Sequence, residues 1–441
     1  MTTTPTPPQS DVEALLDAWP TLDVDEQLAR FVPLPRHEAE EVFFALSARD
    51  QAALLVGLPH RRSWMRLLAP DDAADLIQEL EPEEREATLA LLDDPTRLEV
   101  MALLAYAEDE AGGLMNPRFA RVRADMTVDE AVSYLRKQAR ERPSSMSYIY
   151  ALDDQQRLLG ALSFRELFAA PPDRRVRDVM TALEDLVTVL EDQDQEQISH
   201  QMAEFDLIAV PVVDSEGRMK GVVTLDDIVD VVQEEATEDI AKMAAVSTPE
   251  APYLQTPFLD MIRQRGVWLT VLFLGEMLTA SAMAYFEGEL HKATVLALFI
   301  PLIISSGGNS GSQASTLIIR AMALGEVRLQ DWFRVVRREL GLGLVLGTGL
   351  GLLGILRVMV WEQVSPGLGA HYVLIGVTVA LSLVGVVTFG TTVGSMLPFL
   401  LRRLGLDPAS ASAPFVATLV DVTGLVIYFT AAITLLRGTL L

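Results

Sequence analysis

SAPFVATLVDVTGLVIYFTAAITLL, Ser412 to Leu436, decides the fold class of the back half of this chain. The run is long enough to cross a bilayer at about 1.5 Å per residue. Its one charge, Asp421, falls near the expected midplane, and no basic residue lies near it in sequence. A carboxylate there costs about 2.5 kcal/mol or more unless it faces water, a cation or a partner. Asp421 therefore reads as part of a polar pathway for something positive. A packing carboxylate hydrogen-bonded to a neighbouring helix is the other reading.

Four more apolar runs precede it, at about Val267–Phe286, Thr294–Ala323, Leu340–Trp361 and Tyr372–Leu400. Together the five predict an all-α transmembrane domain over 258–441. Arg263 and Arg265 precede the first run. Arg320, Arg328, Arg334, Arg337 and Arg338 separate the second from the third, and Arg402 and Arg403 follow the fourth. The loops Glu287–Lys292 and Glu362–His371 are poor in Arg and Lys. The positive-inside rule then puts the N-terminus in the cytoplasm and the C-terminus outside. The expected setting is the cell (inner) membrane. The first twenty residues show no basic stretch followed by an apolar core, so no cleavable signal is expected.

Charge divides the chain. It has 61 acidic and 35 basic residues, of which 10 and 12 lie from Pro257 onward and 51 and 23 before it. So acidic a front half excludes nucleic acid as a partner, since phosphate binding needs a basic face. It also repels itself on compaction, which makes acidic clusters candidate cation sites; a solvated acidic surface is the plainer reading. There are no cysteines, hence no disulfides and no thiolate metal sites.

Residues 1–10 (MTTTPTPPQS) are expected to be disordered. Over 11–114 the apolar spacing is helical and punctuated by Pro, Gly and Asp, predicting an all-α superhelical domain. Over 115–233 an α/β unit occurs twice, at about 115–175 and 176–233. The copies carry SYIYALDDQQRLLGALSFREL (Ser147–Leu167) and LIAVPVVDSEGRMKGVVTLDDIVDVV (Leu207–Val232). In each, two β runs flank a polar turn, and Ser163 or Thr224 starts the closing helix as its N-cap. The unit resembles a tandem pair of CBS domains. That resemblance implies an adenine-nucleotide cleft, with ATP a possible ligand and Asp226 on the ribose; Arg165 occupies the matching place in the first copy. The alternative for Asp226 is a first-turn carboxylate at a helix N-terminus. Residues 234–257 form an acid-headed helical connector with Glu235, Glu238 and Asp239 close together, either a plain linker or a coupling helix.

The second apolar run contains PLIISSGGNSGSQASTLIIRAMALGEV, Pro301–Val327. Pro301 is expected to kink it. Ser305, Ser306, Asn309, Ser310, Ser312, Gln313, Ser315 and Thr316 suit a hydrated cavity or interhelical hydrogen bonds, and Asn309 is the best pore-lining candidate. Gly343, Gly347 and Gly351 form a row that permits close helix approach.

GGNSGSQASTLIIRA with DPASASAPFVATLVDVTGLVIYF resembles the MgtE family of magnesium channels, as does the order of parts along nearly the whole chain. The resemblance implies a homodimer in a lipid bilayer, with the second and fifth spans lining a pore at its axis. It implies a hydrated Mg²⁺ held by Asp421 from each protomer, with Ala417 one turn earlier leaving room for the water shell. Mg²⁺ keeps several waters and takes few carboxylates, and a two-fold axis brings two copies of one Asp together. Ala413 stands where the family often has Asn. The family also closes its pore when cytosolic Mg²⁺ bridges acidic faces. By position those acids are Asp71 and Asp75, an i,i+4 pair on one helix face, with Glu235 and Asp239 on the plug helix and Asp407 at the pore mouth. Asp214 and Glu216 in the second CBS turn complete the set.

The expected function is thus Mg²⁺ uptake through a channel that cytosolic Mg²⁺ closes. A secondary transporter coupled to protons or sodium is the alternative, with Asp421 or Glu276 carrying a proton. No nucleophile–base pair, P-loop or HExxH occurs, which argues against an enzyme. Acids at the midplane argue against an anion pore.

Overall fold

The computed structural model describes residues 11–139, 145–248, 253, 256–364 and 369–440. The stretch 1–10, parts of the connector 234–257 and part of the loop Glu362–His371 lie outside the described residues. The chain forms two compact units, Met1–Glu235 and Ala236–Leu441.

The first unit begins with short helices from Asp11–Ala18 to Ala111–Leu114. Their ends follow from local chemistry. Asp23 and Glu26 form a reciprocal capping box on Val24–Phe31. Pro70 opens Pro70–Gln78 where its missing N–H has no partner to lose. Trp19, Phe31, Phe43 and Trp64 bury their rings against one another, with Phe43 and Trp64 5.0 Å apart.

The CBS-like pair follows. In the first copy Phe119–Arg123 runs parallel to Ser145–Leu152, which pairs antiparallel with Leu158–Ser163, and that strand with Thr181–Ala182. In the second, Val189–Leu190 runs parallel to Ala209–Val213, which pairs antiparallel with Met219–Thr224. The sheets share a core through Tyr150, Leu158, Ala209 and Val222. A second core joins Leu76, Ile77 and Val100 of the helical domain to Val210, Val212 and Ile228 of the second copy. Helical domain and CBS pair are therefore one folded body.

The helix after the second copy, Leu225–Met243, runs straight through the expected boundary at 233/234. No Gly or Pro interrupts it, and Gln233, Glu234, Glu235 and Ala236 at the boundary are good helix formers, so nothing stops the helix there.

The second unit holds five helices long and apolar enough to cross a membrane: Phe258–Tyr285, Thr294–Ala323, Leu329–Val364, Tyr372–Arg403 and Ala413–Leu436. The third starts one turn before its main helix run, because a 3₁₀ turn at Leu329–Asp331 feeds directly into Trp332–Val364. Pro301 does not kink the second. It sits in the first turn of Ile300–Ala323, after a 3₁₀ segment Thr294–Phe299, where proline costs no hydrogen bond.

Small residues set the packing. A Cβ at Gly343, Gly347 or Gly351 would lie 2.7 Å from Thr388 Cα, 2.8 Å from Val384 Cα or 3.0 Å from the Ala380 carbonyl. The glycine row thus seats the third span on the fourth. The second and fourth spans meet still more closely: a Cβ at Gly390 or Gly394 would strike the carbonyls of Gly307 or Gly311 at 2.5 and 2.1 Å.

Candidate functional site

In the membrane unit, Ser412 caps the fifth span by accepting from the Phe415 N–H, and Pro414 occupies its first turn. This start is tied to the second span. Ser312 donates to the Ala413 carbonyl at 3.0 Å and Ser315 to the Ala411 carbonyl at 2.8 Å. Those serines are helix glue. Ser306 bonds back to the Leu302 carbonyl, while Asn309 stays exposed with only a 3.4 Å contact from its Nδ2 to Ser305 Oγ.

Two turns into the fifth span, Ala417 and Asp421 face the second span at Gly308. A Cβ there would lie 3.5 Å from Ala417 Cβ and 3.9 Å from Asp421 Oδ1. Glycine at 308 keeps the space beside the carboxylate clear. Asp421 is half-buried and takes part in no ion pair among the described residues. Glu276 of the first span is the charge that acts on it. Gly275 beside Glu276 packs on Thr418, so the two carboxylates lie at similar depth. Glu276 itself is exposed.

A second acidic locus lies in the soluble unit. Asp71 is buried, and Asn116 Nδ2 donates to both its oxygens at 2.7 and 2.8 Å. Asn116 also exchanges backbone hydrogen bonds with Val222, tying Asp71 to the second CBS sheet. Burial, then the charge of Asp72, push the Asp71 carboxyl up to about 6. Asp75 is pushed up to about 8 by the protein around it and then by Asp71, Asp72, Asp227 and Glu108. Its side chain still reaches solvent, which tempers that desolvation. Asp227 is held at about 7 by burial and Asp71, against hydrogen bonds from Thr224. Burial and then Asp226 raise Asp72. Burial, Asp230 and Glu235 raise Glu234 on the same helix. Among the described residues Asp71, Asp75 and Asp227 form no ion pair, and the charges acting most strongly on them are other carboxylates.

The remaining expected acids have local partners. Asp214 accepts from the Glu216 and Arg218 N–H groups and pairs with Lys220 at 3.4 Å. Glu216 pairs with Arg218. Glu235 accepts from Gln195 Nε2 at 2.7 Å. Asp239 lies on Leu225–Met243 within the second unit. Asp407 pairs with Lys242 at 2.6 Å and accepts from the Ala409 N–H. Asp226 is exposed in the first turn of its helix, beside Asp72 and Asp227. Among the described residues no group of three or more Asp, Glu or His converges as a ready metal cage. Sequence reasoning missed Asp227, Asn116, Lys242 and Gly308. Asp227 had a signal, as the neighbour of Asp226; the other three are brought in by tertiary contact.

Comparison with known proteins supplies the frame. Residues 300–431 match a family model described as a divalent cation transporter, MgtE. Residues 10–109 match the MgtE intracellular N domain, and 111–173 and 176–234 match CBS domains. The chain is 43% identical to the magnesium transporter MgtE of Thermus thermophilus, over 96% of this chain and 93% of that protein. It is 31% identical to the Bacillus subtilis magnesium transporter MgtE, over 92% and 96% respectively. Among solved structures it resembles the cytosolic domain of the Mg²⁺ channel MgtE in complex with ATP, at 40% identity, covering 51% of this chain and 91% of that one with a TM-score of 0.47.

Proposed function

The chain belongs to the MgtE family of divalent cation transporters, and from that premise we propose that it is a Mg²⁺-selective uptake channel that cytosolic Mg²⁺ closes. The observation that carries the reading is Asp421: a carboxylate within an apolar span, with no ion pair and with Gly308 and Ala417 leaving space beside it. Mg²⁺ gives up its waters reluctantly, so a pore that holds it needs few ligands and room for a hydration shell. Two copies of Asp421 about a dimer axis would supply that, with Asn309 lining the approach. The membrane is the cell membrane, with the N-terminus in the cytoplasm.

Closure is assigned to the acids of the soluble unit and the connector helix. Asp71, Asp75 and Asp227 crowd together with no ion-pair partner among the described residues, so a divalent ion would favour the arrangement that crowds them. Glu235 and Asp239 on the helix Leu225–Met243, and Asp407 at the pore mouth, are the further acids of this proposal. Asp214 and Glu216 serve their hairpin turn, where Lys220 and Arg218 already meet their charge. An adenine nucleotide is a separate proposal. Asp226, flanked by acids, suits ribose hydroxyls rather than phosphates, and loss of ATP binding in Asp226→Ala would support it.

Single-channel recording in a bilayer with graded cytosolic Mg²⁺ is the test. Unitary currents reversing at the Mg²⁺ potential and closing as cytosolic Mg²⁺ rises are expected. The exposed carboxylate of Glu276 favours the second reading, a proton-coupled transporter. Flux that follows an imposed pH gradient, with no unitary current, would establish that reading instead.

A further inference from the structure

The mouth of the fifth span carries a cation of the chain's own. Lys242, in the last turn of Leu225–Met243, places Nζ 2.6 Å from Asp407 Oδ2 and also pairs with Glu238 one turn back. Both ends of the Lys242–Asp407 contact are only about one-third exposed, 30% and 37%. Asp407 is itself fixed, because its other oxygen accepts from the Ala409 N–H at 2.8 Å and starts the 3₁₀ turn Pro408–Ser410. That turn leads into Ala411 and Ala413, whose carbonyls take the hydrogen bonds of Ser315 and Ser312. The anchor is thus bonded to the second span as well as the fifth. Next to Lys242, Met243 packs on a small apolar cluster of Ile319, Leu397, Leu401, Ala409 and Ala411, drawn from the second and fourth spans and the turn between the fourth and fifth. A lysine at a helix C-terminus also meets the negative end of the helix dipole.

We infer that Lys242 is a latch: a tethered ammonium that pins the end of the connector helix to Asp407 at the pore mouth and holds that contact without Mg²⁺. This rests on the gated-channel reading above and goes beyond it. Soluble Mg²⁺ would then act on an arrangement whose last contact is already made. A salt bridge of this exposure is worth up to about 1 kcal/mol. Removing it should therefore raise the Mg²⁺ concentration that closes the pore by roughly two- to fivefold.

The test uses the full chain in liposomes. Because the chain has no cysteine, spin labels at Ala244→Cys and Leu406→Cys report the distance across the latch without background. In EDTA the otherwise unaltered protein should show a narrow, short distance. Lys242→Met should broaden and lengthen it, and Lys242→Arg, which keeps the charge, should preserve it. In recordings Lys242→Met should raise the closing midpoint, and Lys242→Arg, which keeps the charge, should leave it near the unaltered value. A label distance in EDTA that Lys242→Met leaves unchanged overturns the latch. So does a closing midpoint that falls, which would mean that Lys242 competes with Mg²⁺ for Asp407. If the unaltered channel never closes with Mg²⁺, the gating reading fails, while the label distances still decide whether the latch exists.

Discussion

Asp71 and Asp421 are both helical aspartates with restricted access to water, yet their surroundings are opposite. Asp71 is held by Asn116 and crowded by Asp72, Asp75 and Asp227. Asp421 has an apolar helix around it, a cleared space at Gly308 and one other carboxylate, Glu276, near enough to act on it. Crowded charge makes an energy that depends on how close the segments are, so a cation can change shape through it. Isolated charge makes a place for a cation without coupling it to shape. The first suits regulation and the second suits passage.

The largest expected effect breaks the membrane side of that contrast. Asp421→Ala should abolish selective Mg²⁺ uptake, and Asp421→Asn should weaken it severely. Isotope flux into proteoliposomes measures this; wild-type flux and selectivity in Asp421→Ala would remove Asp421 from the pathway. Next in size is the crowded side. Asp71→Ala, Asp75→Ala and Asp239→Ala together should leave the pore conducting at Mg²⁺ levels that shut the wild type, moving the midpoint about tenfold, or roughly 1.4 kcal/mol of closed-state preference. Patch recordings across a cytosolic Mg²⁺ series would show an unchanged midpoint if these acids are mere surface charge.

A smaller effect sharpens the contrast through protons. Burial and neighbouring carboxylates push Asp71 up to about 6, Asp227 to about 7 and the more solvent-exposed Asp75 toward about 8, from the ordinary 3.8. Raised carboxyl values mean that the folded unit binds more protons than the unfolded chain between about pH 4 and 8. Its stability should therefore fall as pH rises through that window when no divalent ion is present. Asp71, the most buried, accounts for at most about 3 kcal/mol, at roughly 1.36 kcal/mol per unit. Hydrogen exchange of the full chain in EDTA should show faster opening around Pro70–Gln78 at pH 8 than at pH 5.5 after correction for intrinsic rates, and millimolar Mg²⁺ should cancel the difference. Equal opening at both pH values would mean that the acids are better solvated than their packing indicates. The smallest expected effect is at Asp214→Asn with Glu216→Gln. With Lys220 and Arg218 already meeting those charges, the closing midpoint should move less than about twofold.

The pattern of what the sequence disclosed follows the same division. The five spans, the duplicated β units and the place of Asp421 inside a span were legible because hydropathy, alternation and a charge in an apolar run are local signals. The Pro301 kink was misread because the helix start lay one residue before it, and helix ends are set by packing as much as by residue type. The boundary at 233/234 falls within two residues of the division between the two units, and the helix Leu225–Met243 continues across it because no helix-stopping residue stands there. Asn116 and Lys242 were invisible for a different reason. Each matters through a partner far along the chain, Asp71 in one case and Asp407 in the other. No spacing rule connects such positions.

The seam between the second and fourth spans has a mechanical meaning. At Gly390 and Gly394 the backbone of the fourth span lies directly on the Gly307 and Gly311 carbonyls of the second, with no room there for a side chain. Such a joint has no rotamers to exchange and no soft layer to shear, so it behaves as a welded strut. Bending there would lose many close contacts at once. The first span has none of its apolar window buried within the chain, against half for the fourth. Any flexing of this unit is therefore expected at the edges of the strut, and a single bulky residue in the seam would splay the second span from the fourth.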